Sequence, residues 1–435
     1  MAASWVVERT LASSAPVESF LSGVLPRFDE RDQGLLRELV LGTLRWLRRV
    51  DHVIAGASDR DFERIEPALR APLRIGTYQL LFLDRIPSYA AVDEAVEQAR
   101  AVTHRGGASF VNAVLRRIGR DRSLKAWPVE ISNPVGRAAV EWSHPDFLVQ
   151  RWSNRFGWER TRRLLEVNNR PKRLQVLSFR DRGGRGLLAE RLIDAGVLVE
   201  PCRLSPLGIT VETGDLFGSL PFRDGSCYVQ DEVSQIVALF PPPEAGERVL
   251  DVAAAPGGKT FALLAWEPEV RPLMSEVDPA RIESIQENFD RLERRAPVVV
   301  SDGSRPGLQG RFDRVVVDLP CSGTGTLRKH PEIKWRLTPP EIDRLAATGS
   351  AILEGSAALV EPGGVLLVIT CSLEREENEE VVEPFLAGRP EFERIDLRGE
   401  LPVDWQEGIE APGRWRLLPE GDHDGFTVHV LRRRG

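Results

Sequence analysis

Two kinds of apolar spacing divide the chain. Up to about residue 140 the apolar positions recur every three or four residues. In AVDEAVEQA, Val92, Ala95, Val96 and Ala99 fall at i, i+3, i+4 and i+7, one face of a helix. RDQGLLRELVLGTLRWLRRVDHVI carries a similar stripe through Leu36, Leu39, Val40, Thr43 and Leu44. No alternating strand pattern of useful length interrupts it, so the spacing predicts an all-helical domain over 1–140. A turn-rich stretch, SNPVGR and SHPDF within 132–146, separates that domain from the rest of the chain.

From about residue 172 the texture changes. RLQVLSF and GVLVEP read as short strands around a helix at 185–195, a small α/β connecting region within 141–235. In 236–435, β-rich runs alternate with helical stretches: ERVLDVAA, RPLMSEVD, APVVVSDG, FDRVVVDLP and GGVLLVITCS. That alternation predicts a parallel, doubly wound α/β sheet. GRWRLLP and GFTVHVLRR are close enough to form an antiparallel hairpin on its edge.

Length and composition add limits. At 435 residues, 42% hydrophobic and 28% charged, the chain is expected to be globular with two or three domains. No apolar run approaches the roughly 20 residues of a membrane span, and MAASWVVERTLASS lacks the basic start of a signal peptide. Four scattered cysteines form neither a disulfide framework nor a zinc site, so no metal and a reducing cytoplasm are expected. Cys202 and Cys227 read as inert packed thiols. The net charge is −7, but residues 151–185 hold eleven Lys or Arg against three acids, with Trp152, Phe156 and Trp158 interleaved. A segment of that kind is expected to bind a polyanion. Only five residues of the chain are lysine, so the positive charge is nearly all arginine.

The candidate chemistry gathers at strand ends. VLDVAAAPGGKT ends like a phosphate-binding loop, but the glycine required five positions before Gly258 is Ala253. An Ala-Ala-Ala-Pro run is expected to resist left-handed turns, and Pro256 lacks an N–H. Both features count against ATP hydrolysis. Four acids close successive strands: Asp251, Glu276, Asp302 and Asp318. Glu276 lies 25 residues after Asp251, near the offset of a ribose-binding carboxylate. Without G-x-G-x-x-G, the acid-lined pocket suits S-adenosylmethionine, which has a cationic sulfonium and no phosphate. Cys321 in DLPCSGTG and Cys371 in ITCS end two neighbouring strands beside Asp318. Together they point to nucleophilic chemistry. Methylation at carbon 5 of cytosine calls for such a set. A thiolate adds to carbon 6, a carboxyl group steadies the ring, and loss of the carbon 5 proton releases the thiol.

The ordered motifs carry a resemblance. Asp251–Thr260 resembles D-x-C-A-A-P-G-G-K-T, Asp318–Gly325 resembles D-A-P-C-S-x-T-G, and Thr370–Glu379 resembles T-C-S-x-x-x-x-E-N-E. LRKHPEIKW, after the second motif, resembles R-R-H-P-D-I-K-W. These are the motifs of the RNA 5-methylcytosine methyltransferases of the Sun/Nop type. The resemblance implies a Rossmann-like class I methyltransferase domain. Cys371 would be the attacking nucleophile, Cys321 would assist product release, and Asp318 would contact the cytosine. Lys259 would be a cation near the reacting centre or a partner for Asp318. Ala253, Ala254, Ala255, Pro256, Gly257, Gly258, Lys259, Glu276, Asp302 and Asp318 would line the S-adenosylmethionine pocket, with Arg281 and Asn288 on the adjoining helix.

ERDQGLLRELVLGTLRWLRRVDHVI, LRIGTYQLLFLDRIPSYAAVDEAV and FVNAVLRRI resemble a NusB-like RNA-binding domain. With it the resemblance implies 16S rRNA as the partner and a monomeric enzyme. NNRPKRLQVLSF and CYVQDEVSQ resemble the family's connecting region, where RNA contact would fall. Alternatives of the same chemistry are another rRNA or a tRNA cytosine; a non-catalytic RNA-binding factor is the other class. Four positions depart from the family pattern. Ala253 replaces a cysteine, Leu319 an alanine, Val368 an aromatic residue and Glu276 an aspartate.

Overall fold

Residues 1–125 and 131–435 are described by a computed structural model. The expected helical span 1–140 thus includes 126–130, which lie outside the described residues. Packing divides the chain into two units: Met1–Pro171 with Leu327–Arg336, and Lys172–Thr326 with Leu337–Gly435.

The described residues of the first unit are helical, with no strand among them. Val92, Ala95, Val96 and Ala99 all point inward from the helix Ser88–Val102. In the helix Glu30–Arg45, Leu36, Val40, Thr43 and Leu44 are buried, while Leu39 at the stripe's margin is half-buried. Asp29 starts this helix by accepting from Asp32 N at 2.9 Å. The expected turn at 132–146 contains a helix, Pro134–Glu141. Asn133 accepts from Val135 N at 3.1 Å and Pro134 occupies the first turn, so these residues start a helix here rather than break one. Helices Asp146–Phe156 and Trp158–Val167 come next in the same unit, which therefore extends to Pro171 and past the boundary expected at 140.

The segment Leu327–Arg336 was expected within 236–435, yet it packs with the helices. Lys334, 1% exposed, donates to Arg45 O at 2.7 Å, Ser143 O at 2.8 Å and Asn169 Oδ1 at 3.3 Å. Trp335 Nε1 donates to Leu44 O at 2.6 Å, and Arg45 Nη2 donates to Arg328 O at 3.0 Å. Donors that find acceptors only in distant helices explain why local sequence does not show this placement.

The second unit holds two sheets. The smaller comprises β1 (Gln175–Ser178), β2 (Leu198–Pro201), β3 (Gly208–Thr213) and β4 (Cys227–Val229), all antiparallel in the order β2-β3-β1-β4. The expected helix between the first two strands is Gly184–Asp194.

The larger sheet begins with β5 (Arg248–Val252), β6 (Arg271–Glu276), β7 (Val298–Val300), β8 (Phe312–Asp318) and β9 (Val360–Thr370), all mutually parallel. It continues with β10 (Phe392–Arg394), β11 (Ile409–Ala411), β12 (Arg414–Leu417) and β13 (Phe426–Arg433). The order is β11-β12-β13-β9-β8-β5-β6-β7, with β10 beside β13. The expected hairpin is β12–β13, and β13 runs antiparallel to β9. The three-residue β10 and β11 are too short to leave a periodic signal.

Both faces of the parallel core are covered. Val249, Val316, Leu367 and Ile369 pack on one side with Phe240, Trp405 and Trp415. Leu250, Val252, Val315, Val317, Leu366 and Val368 pack on the other. Continuous apolar runs such as Val315–Val317 reflect that double covering. From β5 the chain winds to β6 and β7 on one side and to β8 and β9 on the other, so the switch in strand order lies between β5 and β8. Ligands of such sheets lie outside the carboxyl ends at that switch.

Candidate active site at the carboxyl ends of the parallel strands

β5 passes into the helix Gly258–Trp266 through the alanine–proline turn. The expectation that alanine would resist a left-handed conformation fails at Ala253, whose φ is +57°. That backbone costs roughly 1 kcal/mol. It aims Ala254 N at Ser275 O, 3.0 Å away, and Gly257 N then donates to Ala254 O at 2.7 Å. Gly257 has φ +106°, and a Cβ there would lie 2.5 Å from the Phe261 ring, so only glycine fits.

Asp251 is fully buried under this turn. Its Oδ2 accepts from Thr260 N at 3.1 Å and Thr260 Oγ1 at 2.7 Å, which steadies the helix start, while Oδ1 has no partner. Burial pushes its carboxyl up to about 7, against the pull of the Thr260 bonds and Lys259.

Glu276 ends β6, fully buried; Oε1 accepts from Val277 N at 3.0 Å and Asp278 N at 3.1 Å, and Oε2 from Ala255 N at 3.3 Å. Arg281 lies 3.4 Å from that carboxylate and donates to Ala255 O at 2.8 Å; Asn288 donates to Pro256 O at 3.2 Å. Both thus brace the turn from the helix Pro279–Leu292. Asp302, exposed beyond β7, accepts from Ser304 N at 2.8 Å and Ser304 Oγ at 2.7 Å, bonds that lower its pKa.

Lys259 and Asp318 meet across the switch. Lys259 Nζ donates to Asp318 Oδ2 at 2.9 Å and to Ser234 Oγ at 3.2 Å, and lies 5.2 Å from the centre of the Phe426 ring. Burial opposes the ammonium, but Asp318, Asp251 and Cys371 together outweigh it and raise the lysine pKa. The lysine therefore stays charged.

The two cysteines come together. Cys321 follows β8, Cys371 follows β9, and their sulfurs are 3.5 Å apart. Leu319 N donates to Ile369 O at 2.9 Å and Gly325 N to Cys371 O at 2.8 Å, so the backbone ties both ends of the Cys321 loop to the Cys371 strand end. A Cβ on Gly325 would lie 2.3 Å from Gly425 O. The Cys371 contact, then burial, raises the Cys321 pKa well above an ordinary thiol. Cys202 and Cys227 are buried elsewhere, each pushed up to about 12 by burial, as inert thiols should be.

Several polar groups around the cysteines were not singled out from sequence. Glu377 is 2% exposed; its Oε1 accepts from Ser322 N at 2.6 Å and its Oε2 from Ser322 Oγ at 2.6 Å, and Ser372 Oγ also donates to it. Burial pushes its carboxyl up to about 7. Asn378 donates to Ser372 O at 3.2 Å and Glu374 O at 2.7 Å. Gln230 donates to Gly258 O at 2.9 Å. Glu377 and Asn378 stand inside the T-C-S-x-x-x-x-E-N-E match, which was the available signal.

Within the basic segment 151–185 several cations have partners inside the protein. Lys172 is buried between Asp231 and Asp424, and Arg173 pairs with Glu200, Glu212 and Asp422. Arg170 pairs with Glu166. Arg180 lies over Trp266, and Arg182 and Arg185 donate to main-chain carbonyls. Trp152 is fully buried, whereas Trp158 remains exposed beside Arg162 and Arg163 on its helix. Lys172 and Arg173 thus meet acids distant in sequence, whereas Arg182 and Arg185 donate to main-chain carbonyls.

Among the described residues there is no cluster of three or more His, Cys, Asp or Glu arranged to hold a metal. No described helix is long and apolar enough to cross a membrane.

Residues 238–432 match the family model described as 16S rRNA methyltransferase RsmB/F, and residues 9–120 match that of the NusB family. The fold is that of a class I methyltransferase domain carried with a NusB-like helical domain. A Pseudomonas putida protein named ribosomal RNA small subunit methyltransferase B is 34% identical over 437 residues, covering 99% of this chain and 97% of its own. A Bacillus subtilis protein, "Probable ribosomal RNA small subunit methyltransferase B", is 33% identical over 413 residues, 93% of this chain and 92% of its own. The solved structure of PH0851 shares the fold with a TM-score of 0.82 at 24% identity, covering 99% of this chain and 98% of that one. The chain belongs to the ribosomal RNA small subunit methyltransferase B family.

Proposed function

We propose that the protein methylates carbon 5 of a cytosine in 16S rRNA through a transient bond between Cys371 Sγ and carbon 6 of the ring. The observation that supports this most directly is the pair of sulfurs 3.5 Å apart beside the Lys259–Asp318 ion pair. S-adenosylmethionine suits the donor set, because Glu276, Asp302 and Asp318 follow successive strands and Asp251 Oδ1 is buried without a partner. Ala253–Lys259, Glu276, Asp302 and Asp318 would hold it, and it would supply the methyl group.

The remaining chemistry belongs to the chain. The Cys371 thiolate adds to carbon 6 and makes carbon 5 nucleophilic. Asp318 Oδ2 is engaged by Lys259, which leaves Oδ1 for the exocyclic amine of the base. The ammonium offsets the charge of that carboxylate. After methylation, water accepts the carbon 5 proton, the electrons of that bond restore the 5–6 double bond, and Cys371 leaves as thiolate. Cys321, its sulfur 3.5 Å from that of Cys371, is close enough to assist that release.

The test uses full-length variants on a 16S rRNA transcript with radiolabelled methyl donor. Cys371→Ser should transfer no methyl group while still binding the donor. Cys321→Ser should accumulate a protein–RNA adduct, seen as a shifted band on a denaturing gel. Normal turnover without an adduct in Cys321→Ser refutes the role given to that residue. Bisulfite sequencing of the modified transcript identifies the nucleotide.

A further inference from the structure

The two cysteines come from different strand ends; backbone–backbone bonds tie the Cys321 loop at Leu319 and Gly325, and Thr324 Oγ1 accepts from Leu373 N at 2.9 Å. Between Leu319 and Gly325 lie Pro320 to Thr324, including the sulfur that must face Cys371. One buried carboxylate joins the residue after each cysteine. Glu377 takes both the N–H and the hydroxyl of Ser322, and the hydroxyl of Ser372 donates to it as well. The two hydroxyl oxygens are themselves 3.2 Å apart. Glu377 lies two residues before the helix Glu379–Gly388.

We propose that Glu377 is a positioning residue that sets the separation of the Cys321 and Cys371 sulfurs by clamping Ser322 to Ser372. This rests on the two-cysteine reading above and assigns the group that maintains it. A carboxylate suits the task, because its two oxygens accept three donors at once. Glutamine of the same length keeps part of the clamp, since its oxygen accepts from Ser322 N while its amide donates to hydroxyls turned as acceptors. Alanine removes the clamp and leaves a main-chain N–H and two hydroxyls without it.

Sulfur proximity can be read independently of methyl transfer by oxidising the full-length protein with diamide. Each disulfide formed releases two protons and two electrons, which convert the diazene to its hydrazine. Mass spectrometry of tryptic peptides measures the Cys321–Cys371 disulfide, with thermal midpoint and donor binding as fold controls. Glu377→Ala should slow disulfide formation by at least about tenfold, the scale of a misplacement of up to about 1 Å in a reacting pair. Glu377→Gln should stay within about threefold of the parent. Ser322→Ala, which keeps the N–H bond, should fall between them and serves if Glu377→Ala does not fold. A folded Glu377→Ala, or failing that Ser322→Ala, that forms the disulfide at the parental rate overturns the proposal. Covalent RNA adduct is measured in parallel. Slow disulfide formation with adduct accumulating supports both readings. Slow disulfide formation without adduct supports the clamp and counts against the release role of Cys321.

Discussion

Lys334→Met tests whether the segment Leu327–Arg336 is part of the helical unit's own stability. The ammonium is 1% exposed and donates to Arg45 O, Ser143 O and Asn169 Oδ1. Methionine has similar length and no donor. Leaving two buried carbonyls without this partner costs about 1–3 kcal/mol each. Burying an apolar chain in place of a desolvated ammonium offsets about 1–2 kcal/mol. The net loss spans about 0–5 kcal/mol and centres near about 2.5 kcal/mol, a factor of about 70 in the opening equilibrium. Hydrogen exchange by mass spectrometry reads it in peptides from Glu30–Arg45 and Asp146–Phe156, helices adjoining those acceptors.

The pH dependence gives a second signature. Burial, then Arg45, lowers the Lys334 pKa well below its ordinary value of 10.5. The unfolded lysine therefore holds its proton over a range where the folded one does not. Its contribution is complete above 10.5 and is lost as pH falls through the folded value. Stability of the parent's helical unit should rise with pH from that folded value toward 10.5, and the methionine variant should lack this slope. Less than a twofold change in exchange, or an unchanged slope, would refute the reasoning.

Two further outcomes concern buried charge in the second unit. Asp251 titrates near 7 when folded against 3.8 unfolded, so its stabilising contribution is complete below 3.8 and is lost as pH rises through about 7. Asp251→Asn should lose less stability than the parent between pH 4.5 and 8, as judged by urea midpoints; parallel declines would contradict this. Lys172→Met removes the cation between the carboxylates of Asp231 and Asp424 and should cost about 3–5 kcal/mol in urea unfolding. A loss under about 1 kcal/mol would show that those acids find other partners.

Much of the fold is legible in the chain because period alone reports which face is covered. The stripe Val92–Ala99 and the runs at β5, β8 and β9 bury the residues that the spacing selects, while the edge run at β7 leaves Val300 exposed. Boundaries were less legible where one residue type serves two purposes. Asn133–Pro134 is equally a turn and a helix start, and the residues after Pro134 decide between them. The acids at strand ends were visible as a set, but their tasks were not. Asp251 steadies a helix start and Asp318 holds Lys259, a distinction set by which donor each carboxylate meets.

By itself, then, the amino-acid order determined the all-helical and doubly wound halves, the cysteines at neighbouring strand ends and the glycine turn. Each of these is written in residues close together along the chain. The tertiary structure alone decided that Leu327–Arg336 joins the helices, that Lys172 and Arg173 meet acids distant in sequence, and that Glu377 joins both cysteine loops. Hydrogen bonds and ion pairs depend on separations of about 3 Å between atoms that the chain can bring from anywhere. Their partners leave no period to read.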